Sequence, residues 1–148
     1  MKEVVVDASV ALAWCFPDEI SEYADAVLVA LEGKQVLVPT VWPLEIINAI
    51  VVAQRCNRIN LLETKRFIEL LEGLTIREAV LPLAWSTSNV LPMAQEYDLS
   101  AYDASYLAVA IRHSAPLATL DNRLSKAARK AGIEILLGTD SHKRKHPI

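Results

Sequence analysis

The sequence predicts an α/β domain with a central, mostly parallel β-sheet flanked by helices on both faces. Three observations point there. Short β-branched runs alternate with segments of helical period, the order in which strands and crossover helices follow one another in a parallel sheet. Those runs are apolar at nearly every position, as in strands covered on both faces. The chain has 148 residues, 53% of them hydrophobic, which suits one core of ordinary domain size.

Each element has a local reason. Val4-Val5-Val6 reads as the first strand and Val36-Leu37-Val38 as the second. Leu117-Ala118-Thr119-Leu120 and the run from Ile133 to Leu137 read as later strands. Between them, Ile20, Tyr23, Ala24, Val27, Leu28 and Leu31 keep a 3.6-residue period that Gly33 stops. Pro43 opens a helix carrying Ile46, Ile47, Ile50 and Val51. Asn60 with Glu63 forms a capping-box pattern for a helix through Leu71, ended by Gly73. A further helix is expected between Thr87 and Tyr97. Ser100 with Asp103 caps an apolar helix to about His113, and Asn122 to Ala131 forms the last, closed by Gly132. The pattern gives one domain over residues 1–138 and a basic C-terminal tail over 139–148 that contains Lys143-Arg144-Lys145.

Composition removes several function classes. The four glycines, Gly33, Gly73, Gly132 and Gly138, are too scattered for a GxGxxG or GxxxxGK[ST] phosphate loop. Cys15 and Cys56 make no disulfide framework, so a reducing cytoplasm is the expected compartment. The longest uncharged stretch, Ala79 to Gln95, is broken by two prolines, so no membrane span is expected. Glu3 and Asp7 interrupt the apolar run a signal peptide needs. Net charge is −3, but residues to Ile111 sum to −8 and those from Arg112 onward to +5. An acidic body with a basic end can hold metal in one place and meet phosphates in another. Arg112, Arg123, Lys126, Arg129 and Lys130 are the candidate cations for meeting phosphates, with Lys126, Arg129 and Lys130 expected on one helical face. Plain solubility explains them equally well.

Four acids share a position. Asp7 directly follows the first strand, and Glu45 lies in the opening turn of the helix after the second. Asp121 follows the strand ending at Leu120, and Asp103 is in the first turn of its helix. Taken singly, an acid at a helix start is most simply a cap. Together they fall on the sheet edge where parallel α/β folds bind ligands, and there they are expected to converge. Like charges about 4 Å apart repel by about 4 kcal/mol at an effective dielectric near 20, so such a cluster calls for a cation or for protons. Oxygen-only donors favour Mg²⁺ or Mn²⁺. Ser9, Asn48 and Thr119 sit close in sequence to these acids and are the expected supporting hydrogen-bond partners.

At Val4-Val5-Val6-Asp7-Ala8-Ser9, Leu44-Glu45-Ile46-Ile47-Asn48-Ala49, Leu99 to Ala108 and Leu117-Ala118-Thr119-Leu120-Asp121 the sequence resembles a PIN domain. More narrowly, it is similar to the toxin half of a VapBC-type toxin–antitoxin pair. The block Tyr102-Asp103-Ala104-Ser105-Tyr106-Leu107-Ala108 is the most specific part of the match. The resemblance implies an endoribonuclease dependent on Mg²⁺ or Mn²⁺, with Asp7, Glu45, Asp103 and Asp121 as its catalytic, metal-binding acids. It also implies a homodimer and an antitoxin whose C-terminal segment wraps a groove of the toxin. The tail with His142 and His146 has no counterpart in that family pattern.

Other readings stay open on the residues alone. A histidine ribonuclease has only His113, His142 and His146 to work with, and His113 better suits a helix C-terminus. A haloacid-dehalogenase-type phosphatase needs an acid where Ser9 stands, and a receiver domain needs an acidic pair that is missing. A metal nuclease in RNA processing or acting on DNA shares the same acids. The alternative from another class is an idle interaction module, suggested by the apolar helix from Ile46 to Ala53 and by Trp14, Trp42 and Trp85 if exposed.

Overall fold

Val4, Val5 and Val6 are each no more than 1% exposed, and Val36, Leu37 and Val38 no more than 2%. Successive side chains on a strand point to opposite faces, so both faces of these strands are covered. The computed structural model describes residues 1–138. In chain order its elements are β1 (Glu3–Val6), α1 (Ala8–Ala13), α2 (Glu22–Ala30), β2 (Gln35–Pro39), α3 (Trp42–Arg55) and α4 (Leu61–Glu72). There follow β3 (Thr75–Ala79), α5 (Leu83–Tyr97), α6 (Ala101–His113), β4 (Leu117–Ala118) and α7 (Asn122–Lys130).

The strands form one parallel sheet in the order β3-β2-β1-β4, with Val5 in register with Leu37 on one side and Leu117 on the other. The chain builds outward from β1 through β2 to β3, then returns to add β4 on the opposite side of β1. That reversal opens a crevice at the C-terminal ends of β1 and β4, the place where open parallel sheets bind ligands. Helix α6 packs against β1, β2 and β4. Its residues from Ala104 to Ala110 are all buried, which anchors its N-terminal turn beside the crevice.

Several expected boundaries hold. Asn60 accepts from the Glu63 N–H while the Glu63 carboxylate accepts from the Asn60 N–H, a complete capping box. Ser100 Oγ accepts from the Asp103 N–H, and α3 carries Pro43 in its first turn. Gly132 has φ +83° just past α7, a conformation that glycine adopts without strain.

Four elements differ from expectation. Helix α1 was not anticipated, being only six residues long and capped by a candidate site residue, Asp7. Helix α5 begins at Leu83, a full turn before Thr87. Strand β3 carries Arg77 and Glu78 and is mostly exposed, so its apolar signal is weak. It lies at the sheet edge, where charges discourage pairing with other chains. The run from Ile133 to Leu137 does not form a strand: Ile135 alone bridges to Leu117, and Leu137 turns away at φ 54°. The basic tail over 139–148, with His142 and His146, lies outside the described residues.

Candidate active site

Asp7 is the best-held acid of the crevice. It leaves β1 in extended backbone, caps α1 by accepting from the Val10 N–H at 3.2 Å, and is 4% exposed. Ser9 Oγ donates to its Oδ1 at 2.6 Å, and Thr119 Oγ1 donates to its Oδ2. Both hydroxyls also reach across the crevice. Ser9 Oγ accepts from the Leu120 N–H at 3.0 Å, and Thr119 Oγ1 accepts from the Asp121 N–H at 2.9 Å. The two side chains therefore tie the end of β1 to the segment after β4. Ser9 and Thr119 thus each donate a hydrogen bond to Asp7.

Glu45 sits in the first turn of α3, half-buried, and accepts from the Tyr106 hydroxyl of α6. Tyr106 is 1% exposed and was not singled out from the sequence as a site residue. The signal was present, since it lies three residues after Asp103 and thus on the same helix face. Asp103 projects from the first turn of α6. Asp121 caps α7, accepting from the N–H groups of Arg123 and Leu124 at 2.8 and 3.1 Å. Its cap role is real, and the same carboxylate stands at the mouth of the crevice.

The electrostatics link all four. Burial pushes the Asp7 carboxyl up from its ordinary value of 3.8 to about 6, against hydrogen bonds that pull it down, with a further push from Asp103. Burial also raises Glu45, again with a contribution from Asp103. Asp103 itself is raised by burial and then by the charge of Asp121. Among the described residues, every ion pair lies elsewhere: Arg58 with Asp18 and Glu19, Arg77 and His113 with Glu3, and Arg123 with Asp98. So the four acids share one edge with no cationic side chain paired to any of them. As they stand, no three His, Cys, Asp or Glu side chains among the described residues are drawn tightly enough to enclose an ion. The donor set nevertheless fits a hard divalent cation: all oxygen, all anionic when ionised, and electrostatically frustrated without one.

The remaining candidates scatter. Asn48 is exposed on α3 and its side chain bonds to none of the acids. Arg112 is at the far end of α6, stacked over Trp85 at 5.0 Å and donating to the Val80 carbonyl. Arg129 reaches the Gly138 carbonyl at 3.5 Å, whereas Arg123, Lys126 and Lys130 line one hollow with Tyr97. Arg123, Lys126 and Lys130 therefore share the side of α7 that faces the end of α5, while Arg129, one turn after Lys126, points toward Gly138 instead. His113 ends α6 opposite from Asp103, facing Glu3 at 3.5 Å. Trp42 is buried, while Trp14 donates to the Ala24 carbonyl at 2.8 Å.

A second concavity lies on the other side of α3. It has a volume of about 450 Å³ and is lined by Trp42, Ile46, Ile47, Ile50, Ile68 and Leu71 among others. Helix α3 buries Ile46 and Ile50 in the core but leaves Ile47 54% and Val52 48% exposed, so its apolar surface continues beyond the fold. The Trp42 Nε1 proton is buried there with no acceptor.

The PIN domain family model matches residues 4–130. The chain belongs to the PIN domain family. PIN domains are in general nucleases, and the match spans all four acids of the crevice. Among solved structures, the chain is similar to PAE2754 from Pyrobaculum aerophilum, with 25% identity and a TM-score of 0.67 over 92% of this chain and 85% of that one. FitAcB from Neisseria gonorrhoeae shares the fold at 20% identity and TM-score 0.60, covering 89% of this chain and 95% of that chain. So does a chain from a toxin–antitoxin complex of Klebsiella pneumoniae, at 20% identity and TM-score 0.53 over 80% and 86%. No curated protein sequence matches the chain. No helix among the described residues is long and apolar enough to cross a membrane.

Proposed function

We propose that this PIN domain is a Mg²⁺- or Mn²⁺-dependent endoribonuclease and the toxin component of a type II toxin–antitoxin pair. The observation that carries the reading is the set of four carboxylates on one sheet edge, paired to no cationic side chain, in a family of nucleases. A divalent ion bound there would polarise a phosphodiester and lower the pKa of an attacking water. Asp7, Glu45, Asp103 and Asp121 would hold it. Thr119 and Ser9 fix both oxygens of Asp7, and Tyr106 fixes one oxygen of Glu45, so two of the four donors are pre-oriented. Asp103 has the Ser100 hydroxyl beside it at the start of α6. The nuclease unit is residues 1–138, acting in the cytoplasm as a homodimer. The apolar groove beside α3 is our choice for the antitoxin segment, because its exposed Ile47 and Ile68 give an aliphatic face for an apolar helix or strand.

The test is incubation of purified chain, freed of partner, with total bacterial RNA in Mg²⁺, Mn²⁺ or EDTA, beside Asp7→Asn and Asp103→Asn. The reading expects discrete metal-dependent fragments with 5′-phosphate ends that both variants fail to produce. Cyclic phosphate ends formed in EDTA would overturn it, as they require attack by the 2′-hydroxyl. Equal cutting by wild type and Asp103→Asn would remove that acid from the site.

A further inference from the structure

Helix α7 begins at the crevice and carries Arg123, Lys126 and Lys130 along one side. These three cations line a hollow of about 280 Å³ together with Glu96, Tyr97 and Asp98 from the end of α5. From Arg123 to Lys130 the cations extend over about 10 Å of helix. The hollow adjoins the acids through α7 itself, since Asp121 caps the helix and accepts from the Arg123 N–H at 2.8 Å. Tyr97 is half-buried, so its ring stands in the wall of the hollow rather than free in solvent. At rest Arg123 pairs with Asp98 at 3.2 Å, with 73% and 94% of the two side chains exposed. Such an exposed pair is weak, and a phosphate can take over the guanidinium.

An aromatic ring set among cations along a helix is the chemistry by which proteins hold unpaired bases and their backbone together. A duplex offers no free base face. We propose that the hollow between the end of α5 and α7 is a subsite for one unpaired RNA nucleotide adjacent to the cut, its base stacked on Tyr97 and neighbouring phosphates held by Lys126 and Lys130. The proposal rests on the reading of the protein as an RNA-cutting nuclease, and it makes Tyr97 a determinant of single-strand preference.

The experiment is fluorescence anisotropy with a labelled, unstructured RNA 12-mer in Mg²⁺, using the full chain carrying Asp7→Asn. Tyr97→Ala should weaken binding at least about fivefold, and Tyr97→Phe should restore it to within about twofold. Lys126→Ala with Lys130→Ala should lower the slope of log affinity against log salt by about 1.4. A blunt RNA duplex should bind more weakly and not respond to Tyr97→Ala. Unchanged single-strand binding by Tyr97→Ala, or equal binding of duplex, overturns the subsite. So does displacement of the RNA by a poly-glutamate peptide that itself needs Tyr97, which would assign the hollow to a protein partner. Parallel cleavage assays on the Asp7-containing chain keep the two readings apart. Metal-dependent cutting with Tyr97-independent binding sinks only the subsite, and Tyr97-dependent binding with no cutting in any metal sinks only the nuclease.

Discussion

Replacing Asp7 by asparagine should make the metal-free protein more stable at neutral pH. Asp7 is 4% exposed, and burial raises its carboxyl from 3.8 to about 6. A raised folded-state value means the folded protein prefers the protonated acid. Its contribution is therefore fully present below pH 4 and is lost as pH rises through about 6. At about 1.4 kcal/mol per unit, ionised Asp7 costs the fold roughly 3 kcal/mol at pH 7. Asparagine removes that cost but gives up charge-assisted bonds from Ser9, Thr119 and the Val10 N–H, leaving a net gain of about 1–2 kcal/mol. Urea denaturation in EDTA at pH 7 and at pH 4 measures it, with wild type beside the variant at each pH. The gain should be present at pH 7 and gone at pH 4. Saturating Mg²⁺ should then stabilise wild type by about 2.7 kcal/mol at a hundredfold excess over Kd and leave the variant nearly unmoved. A variant less stable than wild type by the same amount at both pH values would refute the account of Asp7 as a frustrated charge.

Three further outcomes are expected. Tyr106→Phe keeps the buried ring but removes the donor to Glu45; metal-dependent cleavage should fall roughly 10- to 100-fold while thermal unfolding barely shifts. Thr119→Val leaves the Asp121 N–H and an Asp7 oxygen unpartnered, which should cost about 1–3 kcal/mol in urea melts and lower cleavage, whereas Thr119→Ser should recover most of both. Asn60→Ala breaks the capping box of α4 far from the crevice; it should cost about 1 kcal/mol with cleavage rates unchanged.

What the sequence disclosed follows from how each feature is encoded. Strands β1 and β2 are buried on both faces and so are written as unbroken valine and leucine runs. The four acids stood out as candidates because Asp7 directly follows a strand, Glu45 and Asp103 sit in first helical turns and Asp121 caps a helix, positions that topology sends to one edge. Strand β3 was illegible because an edge strand needs charge, and Arg77 and Glu78 supply it at the expense of the apolar signal. The false strand at Ile133 to Leu137 is apolar for another reason: Ile135 is buried beside Leu117, and the segment packs without pairing along its length. Tyr106 was hidden by its type, since a buried tyrosine in an apolar helix reads as core until its hydroxyl partner, Glu45, is located across the fold. The grouping of Arg123, Lys126 and Lys130 was within reach of helical geometry, but their convergence with Tyr97 depends on how α5 and α7 pack.

The hydroxyl that steadies Asp7 comes from Thr119, 112 residues later in the chain. During synthesis, which delivers the N-terminus first, a ribosome has made Asp7, Glu45 and Asp103 before the segment that completes their surroundings exists. Until β4 docks beside β1, Asp7 lacks Thr119 and Asp121 is not yet held at the crevice. A chain stalled or cleaved short of that point carries three of the four acids and none of the bracing from β4. Under the proposed toxin function, late closure means that only molecules carrying β4 need to be restrained.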